Sequence, residues 1–472
     1  MDGFHLFEPS VSLGTQVVLV LALLTAFGFE FVNGFHDTAN AVATVIYTKS
    51  LGPRKAVVWS GICNFLGVTI GGTAVAFGIV SLLPTELIVS VDSARGLAMV
   101  MALLLSAIAW NLGTWSLGIP ASSSHTLIGS ILGVGLANSV LPGHKFGSGV
   151  NWSKAIEVGL SLLVSPLVGF ACAATLLVVL KRLVTNPELY RPPDGDKPPP
   201  FWIRGILLLT CSGVSLAHGS NDGQKGIGLV MLILIGVLPA HYALDSRHHR
   251  HPGQMDRVIA AVNEAEGLIR AHDQSAEDQV KKLAEVADLR QHLQAQPNFQ
   301  AVPAAERWGL RADLIRVDEA LAKLDKTLGR RLTADERGKL AHARAGLREP
   351  VYYAPRWVLV AVALSLGLGT MVGWRRIVVT VGEKIGKDHL TYAQGAAAEL
   401  VAMATIGLAD YGGLPVSTTH VLSSGVAGTM AANGTGLQWS TVRNIAIAWV
   451  LTLPVCMTMA ATLYLLFRWL VG

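Results

Sequence analysis

The sequence predicts an all-α membrane protein that crosses a bilayer several times and is built from two related halves. Of its 472 residues, 51% are hydrophobic and only 15% are charged. Several apolar runs reach the roughly 20 residues that a membrane-spanning helix needs. Two short polar strings each occur twice inside these apolar runs. The net charge of +5 comes from short loops and does not indicate a nucleic-acid partner.

The repeated strings define the two halves. The string 33–41 is echoed by 218–226, and the string 118–125 is echoed by 413–420. The first pair is 185 residues apart and the second pair is 295 residues apart. A polar stretch over 241–350 lies between the two strings of the second half and accounts for the difference. The chain therefore reads as two homologous halves with one insert.

This spacing sets the predicted domain boundaries. The insert holds 18 of the 37 Lys and Arg residues and 17 of the 32 Asp and Glu residues, so the rest of the chain is poor in charge. A linker rich in Pro and charge joins the halves. The predicted parts are a first transmembrane repeat over 1–182, a cytoplasmic linker over 183–204, the start of the second repeat over 205–240, a soluble helical insert over 241–350 and the remainder of the second repeat over 351–472.

Interruptions within the apolar runs predict broken helices and hairpins. The run 11–48 is interrupted at Asn33 and Gly34, and the run 205–240 is interrupted between His218 and Asp222. Each is expected to be a broken transmembrane helix. Two further pairs of apolar runs flank short Gly- and Pro-containing turns and are expected to form re-entrant helical hairpins: 96–117 with 122–142, and 390–411 with 419–433. Simple spans are expected at 56–83, 154–180, 355–373 and 444–467.

The distribution of positive charge predicts an inverted repeat. If both hairpins return to the side they left and the N-terminus is outside, thirteen Lys and Arg residues fall in cytoplasmic loops and five fall outside. This asymmetry agrees with the positive-inside rule. Each half then makes three net crossings, so the halves are inverted relative to each other. The same count places the insert outside. The insert is expected to be a helical bundle. Its cluster His248 to His251 is interpreted as a solvated basic turn, and a metal site is the less favoured alternative.

The hydroxyl runs at the hairpin turns point to an anion site. In Ser122-Ser123-Ser124 and Ser417-Thr418-Thr419, a Pro precedes residues that favour helix N-caps. Backbone N–H groups at a helix start lack partners within the helix and attract oxyanions. Two such starts related by a pseudo-two-fold axis would face one point near the bilayer midplane, as in secondary transporters. The alternative is that these hydroxyls only help the helices to pack.

Two acidic residues lie in the other repeated string. Asp37 and Asp222 would repel an anion unless each held a coupling cation or proton, or accepted a hydrogen bond from a protonated oxyanion. Phosphate carries a proton near neutral pH and sulfate carries none, so nearby carboxylates favour phosphate. The alternative reading is that both residues cap half-helices. Asn33, Asn40 and Asn221 add amide groups beside these acids.

Three further groups are candidates for coupling. Lys225 could pair with Asp222 for structural reasons or reach the anion. Glu399 is an intramembrane acid without an acidic counterpart in the first half, and it reads either as a proton or ion site or as half of a buried ion pair. His36 adds a titratable ring. Ser124 and His125 are adjacent in the sequence at the start of a helix, so their side chains point in different directions. A catalytic Ser-His pair, and hence an enzyme, is therefore not expected.

At these motifs the chain resembles the PiT family of inorganic phosphate transporters, and the strings 33–47, 218–230 and 413–429 look most like its bacterial low-affinity phosphate permeases. The resemblance implies a homodimer with hairpins that carry the anion by alternating access. A transporter of this family is expected to need no cofactor. The phosphate-binding residues it implies are Asp37, Asn40, Ser122, Ser123, Ser124, Asn221, Asp222, Ser417, Thr418 and Thr419.

Two departures from the family pattern favour protons as the coupling ion. Sodium-coupled members typically have Asn where this chain has His36 and Lys225, and an ammonium weakens a sodium site. The predicted coupling-ion or proton residues are Asp37, Asp222, His36, Lys225 and Glu399. The sequence thus predicts a proton-driven phosphate symporter of a bacterial inner membrane, compatible with a metal–phosphate complex as substrate. The alternatives are a sulfate or other oxyanion permease, or a sodium-coupled phosphate symporter.

Overall fold

The protein is described by a computed structural model that covers residues 12–80, 82, 94–195, 197–245, 253–272, 276–328 and 331–471. The side chains of residues 38–40, 94–95, 276–278 and 471 lie outside the described part. The chain divides into two compact units. The larger unit comprises Met1–Ile233 with Pro355–Gly472, and the smaller one comprises Leu234–Ala354.

The larger unit consists mainly of helices in its described part. Its first half contains α1 (Leu13–Tyr47), α2 (Pro53–Ile70), α3 (Ala74–Val80), α4 (Ala94–Ser116), α5 (Ser123–Ser139) and α6 (Trp152–Leu183), and a short 3₁₀ turn at Pro187–Tyr190 precedes α7 (Phe201–Val237). After α8 (Pro239–Tyr242) and the helices of the smaller unit, α13 (Arg356–Thr370), α14 (Arg375–Val379), α15 (Tyr392–Tyr411), α16 (Thr418–Asn433) and α17 (Trp439–Val471) complete the chain.

The predicted polytopic α-helical class is confirmed. Among the described residues, five helices are long and apolar enough to cross a bilayer, and up to seven if two bent pairs each count as one span. The outer surfaces of these helices expose large apolar side chains, such as Leu163 and Leu167 on α6 and Val450 on α17. Such surfaces are expected where a helix faces lipid instead of water.

The positions of the predicted helix breaks are wrong. Both α1 and α7 run without interruption through their Asp motifs. The bends lie elsewhere: 78° between α2 and α3, and 56° between α13 and the segment that begins with α14. Gly34 is a packing residue instead of a break, because a Cβ there would lie only 2.3 Å from the carbonyl oxygen of Leu366.

The glycine contacts of the two halves are reciprocal. Gly34 of α1 meets the backbone of α13, and its counterpart Gly219 of α7 meets the backbone of α2, where a Cβ would lie 2.2 Å from the carbonyl oxygen of Asn64. The hairpins repeat this exchange. A Cβ at Gly133 would lie 2.2 Å from the carbonyl oxygen of Met457, and one at Gly428 would lie 2.3 Å from that of Phe170. Each half thus packs against helices of the other.

The two hairpins have matching turns. The first joins α4 to α5 and the second joins α15 to α16. Gly118 and Gly413 adopt φ angles of 66° and 65°, a left-handed conformation that favours glycine. Ser122 and Ser417 then cap the second helix of each hairpin, each accepting a hydrogen bond from the backbone N–H three residues on. How these hairpins and halves are oriented in a membrane stays a prediction.

The smaller unit is a bundle of amphipathic helices. Its helices are α9 (Gln254–His272), α10 (Ala276–Gln294), α11 (Arg307–Leu328) and α12 (Ala334–Arg348), each packed against the next and α12 against α9. Leu, Val and Ala side chains form its core. Arg311 is buried within it and donates to the carbonyl oxygens of Ala243 and Val351 at 2.9 and 2.7 Å. Burial lowers the pKa of Arg311 to about 10. The cluster His248 to His251 lies outside the described residues.

Candidate functional site

The turns of the two hairpins meet inside the larger unit. Ser124 Oγ, in the first turn of α5, donates a 2.8 Å hydrogen bond to the carbonyl oxygen of Val416 in the second hairpin. The rings of His125 and His420 lie 4.5 Å apart between centroids. All of these side chains except that of His125 are buried. The starts of α5 and α16 therefore converge on one buried point.

Asp37 of α1 lies at this point and accepts hydrogen bonds from both hairpins. Ser123 Oγ donates to its Oδ2 at 2.6 Å, and Thr419 Oγ1 donates to its Oδ1. His36 Nδ1 lies 3.3 Å from Oδ1. Two hydroxyls from opposite hairpins are thus already aimed at one oxyanion, the carboxylate of Asp37. Donors in this arrangement suit an oxyanion ligand as well, because each hydroxyl can rotate to a new acceptor.

Asp222 of α7 forms a buried ion pair beside Asp37. Lys225 Nζ lies 2.5 Å from Asp222 Oδ1 and 2.5 Å from Ser124 Oγ. His218 Nε2 lies 3.4 Å from Asp222 Oδ2 and 3.8 Å from Asp37 Oδ2. The two readings of Lys225 therefore do not exclude each other: it pairs with Asp222 and also reaches the first hydroxyl run.

Asp37, His218 and Asp222 also have the spacing of a cation site. One ligand atom from each of the three lies within 4.8 Å of the others, and all three residues are buried. Carboxylate oxygens and an imidazole nitrogen are ordinary ligands for divalent metals. In the structure the ammonium of Lys225 already supplies one positive charge here.

The remaining predicted anion residues lie around this centre or outside the described part. Ser122 and Ser417 are occupied as helix caps. Thr418 is buried in the first turn of α16. Asn221 Nδ2 donates to the carbonyl oxygen of Leu414 at 3.3 Å, which ties α7 to the second hairpin. Asn40 belongs to α1, but its side chain lies outside the described residues.

Glu399 does not belong to this centre. It lies on α15 and accepts hydrogen bonds from Thr44 of α1 and from Thr210 of α7, the latter at 2.5 Å. Thr44 follows Asp37 by seven residues, or about 10 Å along the helix axis. Hydroxyls, and no basic group among the described residues, surround this buried acid. The alternative of a buried ion pair at Glu399 is therefore wrong.

His218 and Glu30 were missed as site residues. His218 precedes Asp222 by four residues on α7, so helical periodicity places both on one face. Glu30 precedes Asn33 and Asp37 by three and seven residues on α1, and the same periodicity would have indicated it. Both residues are buried. Neither has a counterpart of the same type in the other half, so the repeat gave no signal for them.

Comparison with known proteins identifies a family that the chain matches over most of its length. The chain matches the phosphate transporter family over residues 33–460. It is 42% identical to the low-affinity inorganic phosphate transporter PitA of Escherichia coli (strain K12), with 98% of each chain covered. It is 41% identical to PitB of the same strain, with 95% of this chain and 96% of the relative covered.

A solved structure shares the fold. It is titled "The sodium-dependent phosphate transporter", and it matches with a TM-score of 0.56 at 21% identity over 96% of this chain and 99% of that one. The relatives are named as transporters, in agreement with the non-enzymatic function predicted from the motifs. On the family match and the identity to these relatives, the chain belongs to the PiT family of phosphate transporters.

Proposed function

We propose that this protein imports inorganic phosphate across a bacterial inner membrane, driven by a proton gradient. The observation that carries the proposal is the convergence of Ser123 and Thr419, from opposite hairpins, on the carboxylate of Asp37. Phosphate would take these two donors by rotation of the hydroxyls. Asp37 would then accept a hydrogen bond from a protonated phosphate oxygen. Sulfate has no such proton, so the same carboxylate would repel it.

The charges around the site favour import together with a cation. Asp37 and Asp222 bring two negative charges. Lys225 brings one positive charge and His218 brings a second one when it is protonated, and all four groups are buried. An added phosphate anion would leave a further uncompensated negative charge in a low-dielectric site, which is costly. A co-imported proton removes this cost. Asp37, Asp222, His36, Lys225 and Glu399 remain the predicted places where that proton acts.

A divalent metal bound to phosphate is a second candidate substrate. The three ligand atoms of Asp37, His218 and Asp222 lie within 4.8 Å of one another. A neutral metal–phosphate complex would also remove the charge penalty. Under this proposal the metal is cargo that leaves with phosphate.

The test is uptake of labelled phosphate into proteoliposomes with the pH gradient and the sodium gradient imposed separately. We expect accumulation with an inward proton gradient and none with sodium alone. Excess unlabelled sulfate should not compete. Accumulation driven by sodium alone would refute proton coupling, and competition by sulfate would favour the oxyanion alternative. Repeating the assay with a chelator of divalent metals separates free phosphate from its metal complex as the substrate.

Alternating access and a homodimer belong to the same proposal. The contacts that Ser123, Ser124 and Thr419 make with α1 and α7 are the ones that movement of the hairpins would break. Replacing them with contacts to phosphate would allow the hairpins to move with the anion bound. Cross-linking in native membranes tests the dimer.

A further inference from the structure

Glu30 of α1 is a buried acid without a hydrogen-bond donor. Its exposed fraction is zero, and neither carboxylate oxygen has a hydrogen-bond partner among the described residues. Asn33, one turn further on α1, lies beside it but outside hydrogen-bond geometry, and its own amide atoms are also unpaired in the described part. A carboxylate that is ionised and unsolvated in such a place is very costly, and a proton on the carboxyl group would remove this cost.

Glu30 lies next to the ion pair of the phosphate site. A Cβ built at Gly226, the residue after Lys225, would lie 2.4 Å from Glu30 Cγ and 2.5 Å from its carboxyl carbon. The charged or titratable groups that face Glu30 are Asp222, Lys225 and His218, all on α7. Two acids thus share the single ammonium of Lys225, which in this structure binds Asp222 at 2.5 Å.

We infer that Glu30 is a further proton-binding site that couples phosphate import to the proton gradient, in addition to the residues predicted from the sequence, with Lys225 as the group that exchanges places with the proton. This inference rests on the proposed function. While Lys225 pairs with Asp222 and Ser124, no cation among the described residues is hydrogen-bonded to Glu30, and Glu30 keeps its proton. When Lys225 turns towards Glu30, the ammonium stabilises the carboxylate and the proton is released.

The electrostatics give the coupling the sign of symport. A phosphate bound at Ser123 and Ser124 adds negative charge near Glu30 and draws Lys225 towards the anion. Both effects favour the protonated form of Glu30, so phosphate and proton bind together. Departure of phosphate frees Lys225 for Glu30 and expels the proton. Two ligands that favour each other's binding in this way are coupled in the thermodynamic sense.

The matching position of the second half carries no acid. The counterpart of Glu30 in α7 is Ser215, whose hydroxyl lies 2.8 Å from that of Ser60. The second half thus has a neutral, hydrogen-bonded pair where the first half has a protonated acid. A side chain that is costly to bury and absent from the matching position is expected to have a functional role.

The test compares two transport modes of the reconstituted full-length protein. Glu30→Gln has nearly the shape of the protonated acid but cannot release a proton. We expect exchange of labelled for unlabelled phosphate at equal pH to stay within about twofold of wild type, and accumulation driven by a pH gradient to fall about tenfold or more. Glu30→Asp keeps a titratable group and should retain accumulation at a reduced rate. Glu157→Gln, at a partly exposed acid of α6, is the matched control and should change neither mode.

Three results would overturn the assignment. Wild-type accumulation by Glu30→Gln would remove Glu30 from coupling. Loss of both modes in Glu30→Gln and in Glu30→Asp alike would assign the acid a structural role. Infrared spectra of the purified protein give a readout independent of transport: the C=O band of protonated carboxylic acids, to which the buried Glu399 can also contribute, should be weaker in Glu30→Gln than in wild type at neutral pH. An unchanged band in Glu30→Gln would refute the proposal. A wild type that carries no phosphate but shows this band would refute the proposed function instead.

Discussion

Replacing Gly34 by Ala tests whether this glycine is a packing contact, as the structure has it, or a helix break. A Cβ at Gly34 would lie 2.3 Å from the carbonyl oxygen of Leu366 and 2.9 Å from the backbone nitrogen of Thr370. Ordinary contact begins at 3.4 Å, so α1 and α13 would have to separate by about 1.1 Å. Overpacking of this kind costs about 1–3 kcal/mol. The better helix propensity of Ala offsets about 0.5–1 kcal/mol of it.

The expected net loss is therefore centred on about 1 kcal/mol, seen as a lower unfolding midpoint in detergent. Uptake should fall by about tenfold or more, because Asp37 lies one turn beyond Gly34 and moves with α1. Gly28→Ala is the control in the same helix: a Cβ there meets nothing within 4 Å, and stability should be unchanged or slightly higher. Gly219→Ala should repeat the loss. Wild-type stability and uptake in Gly34→Ala would refute the packing argument.

The remaining predictions concern the site and the bundle. Asp37→Asn and Asp222→Asn should each abolish coupled uptake while the protein still inserts, since each removes a charge that the hydroxyls or Lys225 now bind. Arg311→Met should leave two buried carbonyl groups without a donor and cost about 2–4 kcal/mol, measured as faster hydrogen exchange across α11. Hydrogen bonds from the backbone and hydroxyl of Thr333, with a smaller contribution from His272, lower the pKa of Glu336 to about 2. The stabilisation by Glu336 should therefore be present above about pH 4 and be lost as pH falls towards 2, seen as faster exchange in α12.

These predictions have controls or contrary results of their own. Wild-type uptake by either Asp variant would remove that acid from the mechanism. Arg316→Met, at an exposed Arg of α11 paired with Asp313, should leave exchange unchanged and is the control for Arg311→Met. Glu336→Gln should remove the acid-dependent step in α12; persistence of the step in that variant would assign it to other groups.

Local signals in the sequence were sufficient for the helix starts. Pro followed by a hydroxyl residue predicts an N-cap from local chemistry alone, and Ser122 and Ser417 are observed as caps. Long apolar runs likewise predicted the membrane-spanning helices. These features depend on residues that are close together in the chain, so a single sequence is sufficient to predict them.

Features that depend on distant parts of the chain were not predictable in the same way. Gly34 looks the same in sequence whether it ends a helix or admits a neighbouring backbone, and only the contact with Leu366 decides between them. The bond from Thr419 to Asp37 joins residues 382 positions apart. The position that matches Glu30 in the second half is not an acid, so the repeat does not indicate Glu30. Only the packing of α1 against α7 shows that Glu30 lies beside Lys225.

The most direct measurement of the central claim is an experimental map of the protein in lipid with phosphate bound. The account predicts tetrahedral density between the starts of α5 and α16, with the hydroxyls of Ser123 and Thr419 within hydrogen-bond distance of it and Asp37 facing the anion. Density for phosphate elsewhere, with both hydroxyls still bound to Asp37, would contradict it.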